Sequence, residues 1–232
     1  MQTRGRTAAI LISAAILTTA VAACGGSTQP ACIVIDASKS TRYAVYDYLG
    51  RFDRESAAVA EAGGSLAVVV ATGEPMVESD VEVSEDFGEL GGADRTSQRA
   101  AAVEDFTRGV HRGTRLASTG LANPSSGSGI VAAVSLVAGQ GCASIEALSD
   151  GLEAADVRMK REDILTPSGR ARLLDRLEAR GLLPDLSGVE LRFPFGGYLP
   201  QGTSIPKARL DAVPKFWTDY SDRTGAVLVW QR

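Results

Sequence analysis

Three oxygen-bearing side chains follow a short apolar run near the start of the chain. Residues 32–35 are Cys-Ile-Val-Ile, and Asp36, Ser38 and Ser40 then alternate with other residues. One carboxylate and two hydroxyls at the end of a strand are hard oxygen donors, which suit Mg²⁺, Ca²⁺ or Mn²⁺ better than thiophilic metals. The alternative interpretation is a turn in which Asp and Ser cap the helix that follows.

A second carboxylate and further hydroxyls occupy comparable positions later in the chain. Asp150 ends an apolar run of strand length, and a Ser- and Gly-rich loop, residues 124–129, precedes the helix before that strand. In a doubly wound sheet, ligands bind at the carboxyl ends of strands where the strand order reverses. If the two strands are neighbours, we expect Asp36 and Asp150 to meet in one crevice, within reach of Ser128 or, with a shifted alignment, Ser126.

Apolar periodicity predicts the elements that would position these side chains. Short valine-rich or alternating runs predict strands, whereas apolar residues at helical spacing predict amphipathic helices. Pro214 lies inside the last helical segment and should kink or split it. The predicted strands are 32–35, 66–72, 78–83, 144–149, 189–193 and 226–230, and the predicted helices are 42–62, 94–116, 130–138, 168–180 and 206–224.

Helices alternate with buried strands along most of this order. Such alternation predicts an α/β layer fold, doubly wound around a mainly parallel sheet. The acidic run 78–83 is predicted to be an edge strand. Glu146 lies within a predicted strand and has no explanation from sequence, while His111, the only histidine, lies among arginines and is predicted to be solvated.

The first 23 residues have the features of a secretory signal. Arg4 and Arg6 precede an apolar stretch that is too short and wrongly flanked for a stable membrane span. The stretch ends Val-Ala-Ala-Cys at Cys24, which resembles a bacterial lipobox whose cysteine becomes the lipidated N-terminus. We therefore expect a signal at 1–23, a tether at 24–30 and a protein held at the outer face of the cell membrane by acyl chains; ordinary cleavage with Cys24 as a bystander is the alternative.

Two further cysteines, Cys32 and Cys142, form an even pair in a chain predicted to be exported. This favours a disulfide bond, with two buried free thiols as the alternative. A disulfide bond between them would close a long loop, because 109 residues separate the two cysteines. Because each cysteine lies upstream of one of the two aspartates, a bridge would pin the two strands at the end opposite Asp36 and Asp150.

Length and charge limit the class of protein. The 209 residues after position 23 suffice for one well-packed domain, predicted over 31–232. That part of the chain carries a formal charge of −6, because Arg4 and Arg6 are two of the 24 basic residues against 28 acidic ones. A mildly acidic surface argues against nucleic acid as a partner.

Three motifs in order resemble the von Willebrand factor type A-like domains with a metal-ion-dependent adhesion site. They are Asp-Ala-Ser-Lys-Ser at 36–40, Gly-Ser-Gly-Ile at 127–130 and Ser-Asp-Gly at 149–151. The resemblance implies a six-stranded Rossmann-like sheet with Mg²⁺, or else Ca²⁺ or Mn²⁺, at its top. It implies direct ligation by Ser38 and Ser40, with Asp36 and Asp150 close by and often acting through water. The middle loop usually carries threonine in this family, whereas this chain has Ser128.

The resemblance further implies that an acidic residue of a protein partner completes the metal's coordination shell. We therefore expect a lipid-anchored, metal-dependent protein-binding domain and no enzymatic activity. One alternative is the same fold with a degenerate metal site, acting as a scaffold. Another is a hydrolase, but a serine nucleophile needs a base and residue 124 is proline, so no Gly-x-Ser-x-Gly elbow is present. A solute-binding lipoprotein would need two lobes, for which this length is small.

Overall fold

A computed structural model describes residues 29–38, 41, 43–72, 82–88, 95–119, 128–198 and 205–231. Within these ranges the chain forms a six-stranded sheet with helices on both faces, which confirms the predicted α/β class. The elements in chain order are β1 Ala31–Asp36, α1 Val45–Ala62, β2 Ser65–Ala71, β3 Glu82–Asp86, α2 Arg95–Thr119, α3 Ile130–Ala138, β4 Ser144–Leu148, α4 Pro167–Ala179, β5 Glu190–Phe193, α5 Lys207–Leu210, α6 Val213–Thr224 and β6 Val227–Trp230.

The strand order reverses between β1 and β4. The sheet runs β3-β2-β1-β4-β5-β6, with all neighbours parallel except β3, which pairs antiparallel to β2 at one edge. From β1 the chain first builds outward to β2 and β3, then crosses back to β4 and builds the other half. In open α/β sheets this switch point forms the ligand crevice, at the carboxyl ends of the two strands. Asp36 ends β1, and Asp150 follows β4 by two residues.

Each face of the sheet packs against its own set of helices, because successive strand residues point to opposite faces. Ile33 and Ile35 belong to the apolar cluster that contains the buried residues of α1 and α2. Val34 belongs to the larger cluster, which contains buried residues of α3, α4 and α6. Helix α3 is the most apolar, since six of its nine residues are buried. This helix packs against β1, β2 and β4 and places its N-terminus at the crevice.

The sequence-based boundaries hold to within a few residues, with one informative difference at the edge strand. The edge strand predicted at 78–83 is found at Glu82–Asp86, because its register is set by antiparallel pairing with β2; residues 73–81 lie outside the described ranges. The last helical segment is split into α5 and α6, as Pro214 predicted. Proline lies in the first turn of α6, where its missing N–H has no intrahelical partner to lose.

A disulfide bond joins Cys32 to Cys142, with their Cα atoms 5.8 Å apart, which confirms the predicted pair. Cys32 is the second residue of β1, and Cys142 lies two positions before the first residue of β4. The bridge therefore lies at the amino ends of the two strands, opposite the crevice. Among the described residues, no helix combines the length and apolar character that crossing a bilayer requires. Cys24 and the predicted signal lie outside the described residues.

Candidate metal centre

Asp36 is the centre of a buried hydrogen-bond network at the carboxyl end of β1. Its side chain is fully buried. Its Oδ2 accepts hydrogen bonds from Ser128 Oγ at 3.0 Å and from Ser149 Oγ at 2.9 Å. Its Oδ1 accepts the backbone N–H of Ser38 at 3.0 Å. One backbone N–H and two hydroxyls, from three separate parts of the chain, thus converge on one carboxyl group.

A tight turn holds Ser38 beside Asp36. The backbone N–H of Thr41 donates to the Ser38 carbonyl at 3.1 Å. The Thr41 hydroxyl lies 3.0 Å from the carbonyl oxygens of Asp36 and Ser38, 3.3 Å from Asp36 Oδ1 and 3.3 Å from Ser38 Oγ. Since a hydroxyl has one proton, it donates to one of these oxygens at a time. Thr41 therefore closes the loop after β1 and keeps the Ser38 hydroxyl at the crevice.

Ser128 is fixed by backbone contacts on both sides of the crevice. The N–H of its neighbour Gly129 donates to Thr72 O, just beyond β2, at 2.8 Å. The Ser128 carbonyl accepts the N–H groups of Ala154 at 3.0 Å and Ala155 at 3.3 Å. Ser128 also lies immediately before the first turn of α3. Its hydroxyl consequently points at Asp36 from a rigid position.

Asp150 lies beside this network, at the carboxyl end of β4. The residue is 2% exposed, and its Oδ1 accepts the N–H of Leu152 at 2.8 Å. The adjacent Ser149 donates to Asp36 and accepts the N–H of Gly151 at 3.0 Å. The Asp150 carbonyl accepts the N–H of Gly197 at 2.9 Å, which ties the loop after β5 to the crevice.

Burial raises the pKa of both aspartates. The pKa of Asp36 is raised by loss of solvent, and hydrogen bonds from Ser38, Ser149 and Ser128 offset part of this rise. Burial, together with the charge of Asp36, raises the pKa of Asp150 to about 7. Within the described residues, no positively charged group is among the main causes of the pKa shift of Asp36. For Asp150, Lys160 lowers the pKa, but its effect is the smallest of the main ones. The crevice is therefore a place where added positive charge would be stabilised.

The side chains present fit a hard divalent cation. Asp36, Ser38, Ser128 and Asp150 offer carboxylate and hydroxyl oxygens, without thiol or imidazole, which is the donor chemistry of Mg²⁺, Ca²⁺ or Mn²⁺. Among the described residues, no group of three or more His, Cys, Asp or Glu side chains could hold a metal ion. The predicted set contains two carboxylates, so it depends on hydroxyl ligands. Ser40 and Ser126 lie outside the described residues.

No family model, curated protein or solved structure matches this chain. The candidate site therefore depends on the geometry of its own residues.

Three residues of the crevice were missed by sequence reasoning: Thr41, Ser149 and Glu153. Ser149 belongs to the motif that contains Asp150, and Thr41 directly follows the motif that contains Asp36, so their positions just after the same two strands are a signal that could have identified them. Glu153 carries no such signal. It begins a polar stretch of the sequence, residues 153–163, yet it is 1% exposed, and burial raises its pKa to about 7.

Two other ionisable residues lie away from the crevice and have structural partners. Glu146, within β4, is 7% exposed and receives Arg51 Nε and Nη2 from α1 at 2.8 and 3.2 Å, so it is buried and paired. His111 Nε2 lies 2.7 Å from Asp53 Oδ1 between α2 and α1. The predicted solvation of His111 is thus incomplete, because its side chain contacts Asp53 and is only about a quarter exposed.

Proposed function

We propose that this protein binds a divalent cation, preferably Mg²⁺, at the carboxyl ends of β1 and β4. Through this ion it binds an acidic group of a protein partner. One observation carries the proposal. The fully buried carboxyl group of Asp36 is hydrogen-bonded by the side chains of Ser38 and Ser128 at the switch point of the sheet, and Asp150, which is 2% exposed, lies near enough for the charge of Asp36 to raise its pKa.

A cation resolves the electrostatic problem of the crevice. Burying two carboxylates close together is unfavourable unless positive charge accompanies them. A divalent ion supplies that charge and takes oxygen ligands from Asp36, Ser38, Ser128 and Asp150. An ion with a coordination position facing solvent is a strong local charge that attracts a carboxylate. This is the arrangement implied by the resemblance to von Willebrand factor type A-like domains with a metal-ion-dependent adhesion site.

Exposed tyrosines around the crevice support a protein as the partner. Tyr43 and Tyr46 follow Thr41 and are 67% and 78% exposed, and Tyr198 follows Gly197 and is 53% exposed. Both segments contact the network directly, through Thr41 and through the Gly197 N–H. Tyrosine is enriched in protein–protein interfaces because it combines a large apolar ring with a hydrogen-bonding group.

The same proposal assigns the protein to the outer face of a bacterial cell membrane. The basic and apolar residues before Cys24, with the small residues next to it, support a lipid anchor. The disulfide between Cys32 and Cys142 supports an oxidising compartment.

Calorimetric titration with Mg²⁺ and Mn²⁺ tests the proposal. Wild-type protein should show saturable binding of one ion, and Asp36→Asn should abolish the heat because it removes the central charge with little change in shape. Asp105→Asn is the matched control, since Asp105 is an exposed acid on α2, and it should titrate as wild type does. Equal heats for wild type and Asp36→Asn would reject the metal site.

A metal-independent scaffold is the second candidate. It is favoured by the number of hydrogen bonds that Asp36 already accepts, from Ser38 N–H, Ser128, Ser149 and, in one orientation of its hydroxyl, Thr41. Such a network could stabilise the buried carboxyl without an ion. This candidate predicts no metal binding and no loss of partner binding when Ser38 and Ser40 are replaced by alanine.

A further inference from the structure

Glu153 joins two segments that flank the crevice. Its Oε2 accepts the N–H of Val131, in the first turn of α3, at 3.0 Å. Its Oε1 accepts the N–H groups of Ala155 at 2.7 Å and Asp156 at 2.9 Å. The carboxylate thus connects the N-terminus of α3 with the turn that follows Asp150.

The same two segments fix Ser128 from either end. Ser128 precedes α3 by two residues, so its position follows that of the first helical turn. Its carbonyl accepts N–H groups from Ala154 and Ala155, in the turn that Glu153 organises. Its hydroxyl donates to Asp36 Oδ2. A chain of direct contacts therefore leads from the Glu153 carboxylate to the centre of the network.

We propose that Glu153 is a positioning residue that fixes the Ser128 hydroxyl in the metal centre and thereby sets the affinity of that centre for a divalent cation. The inference rests on the proposed function. Glu153 itself does not touch the ion; it acts through the backbone of α3 and of the 153–156 turn.

The contacts require a carboxylate. Three N–H groups converge on two oxygens, and both oxygens of a carboxylate accept. Glutamine has the same shape but presents an NH₂ group on one side, where it would face an N–H donor. Aspartate keeps the charge but is one methylene shorter, so it cannot reach Val131 and the turn at once without a shift of backbone.

Glu153→Gln tests the inference, with Glu146→Gln as the matched control. Both are nearly buried glutamates near or in β4, and both substitutions should lower the free energy of unfolding in urea. Only Glu153→Gln should also weaken Mn²⁺ binding, by tenfold or more, and speed amide hydrogen exchange at Val131, Ala154 and Ala155. Glu153→Asp, a milder change, should weaken Mn²⁺ binding by a smaller factor and serves if the glutamine variant does not fold.

A folded Glu153→Gln or Glu153→Asp variant that binds Mn²⁺ within twofold of wild type would overturn the inference while leaving the proposed function intact. If wild type itself binds no Mn²⁺, the proposed function fails, and with it the effect on affinity. Hydrogen exchange then still decides the structural part: unchanged protection of Ala154 and Ala155 in the variant would show that Glu153 does not fix Ser128.

Discussion

The Ser128 hydroxyl donates to Asp36 Oδ2 at 3.0 Å, although the two residues are 92 positions apart in the chain. Ser149 Oγ donates to the same oxygen at 2.9 Å. The two serines make equivalent contacts with Asp36, yet Ser128 belongs to the predicted metal ligands and Ser149 does not. Variants of these two serines can therefore distinguish a contribution to folding stability from a contribution to metal binding.

Ser128→Ala and Ser149→Ala should both destabilise the protein, and Ser149→Ala should do so at least as strongly. Each removes a hydrogen bond to the Asp36 carboxyl group, which is worth about 1.5–3 kcal/mol, and Ser149→Ala also removes the acceptor of the Gly151 N–H. Mn²⁺ affinity should fall by tenfold or more for Ser128→Ala and by much less for Ser149→Ala, and Ser128→Thr should retain binding because it keeps the hydroxyl. Urea denaturation and calorimetry measure the two effects. Equal losses of affinity in both alanine variants would argue against direct ligation by Ser128.

Removing the disulfide should lower stability without changing the crevice. In the chain-entropy model, a bridge that closes a loop of this length contributes about 4–5 kcal/mol. The Cys32→Ser/Cys142→Ser double variant should therefore unfold at a lower urea concentration, and wild type treated with a reductant should shift by a similar amount. Mn²⁺ affinity of the folded variant should equal that of wild type, because the bridge lies at the opposite ends of β1 and β4.

The metal-free protein should become less stable as the pH rises from about 4.5 to 7. Burial raises the pKa of Asp150 and of Glu153 to about 7, so the folded state binds more protons than the unfolded state in this range. The free energy of unfolding must then fall as pH rises, up to the raised pKa values. Urea denaturation in a chelator at several pH values measures the slope.

Two considerations make the result of this pH experiment easier to interpret. Exposed carboxyls with lowered pKa, such as Asp163 and Asp185, add stability that is lost only at lower pH, so they do not mask the trend. Asp150→Asn removes one titrating group and should reduce the slope. Stability that instead rises steadily from pH 4.5 to 7 would contradict the burial of these carboxyls.

The pair formed by Arg51 and Glu146 should matter for stability alone. The Glu146 side chain is 9% exposed, so Arg51→Ala would leave a nearly buried carboxylate without its partner. Because the Arg51 side chain is 34% exposed, water offsets part of the penalty, and we expect a loss of about 1–3 kcal/mol. Thermal or urea denaturation measures it. Arg51→Ala should bind Mn²⁺ as wild type does, and a large loss of affinity would mean that the crevice is coupled to α1.

The sequence was informative where strand ends and chain order determine position. Asp36 and Asp150 end parallel runs, so once their strands are neighbours both must lie at the same edge of the sheet. Cys32 and Cys142 face each other for the same reason at the opposite edge. Pro214 predicted the break between α5 and α6 because proline cannot sit in a helix interior without disrupting it.

The remaining features depend on contacts between distant segments. Glu146 finds Arg51 95 positions earlier, and no local pattern links the two. Glu153 is surrounded by backbone N–H groups, which every sequence provides, so its burial cannot be inferred from residue types. The continuation of the edge strand beyond Val83 to Asp86 likewise follows from pairing with β2 and not from its own alternating pattern.

Anomalous diffraction from crystals of the protein soaked in Mn²⁺ tests the central claim most directly, because it locates the ion without relying on heats or on variants. We predict one strong anomalous peak at the carboxyl ends of β1 and β4, within coordination distance of oxygens of Asp36, Ser38 or Ser128, and with Asp150 in contact directly or through water. A well-ordered crevice without a peak, or with Mn²⁺ bound only elsewhere, would contradict the account.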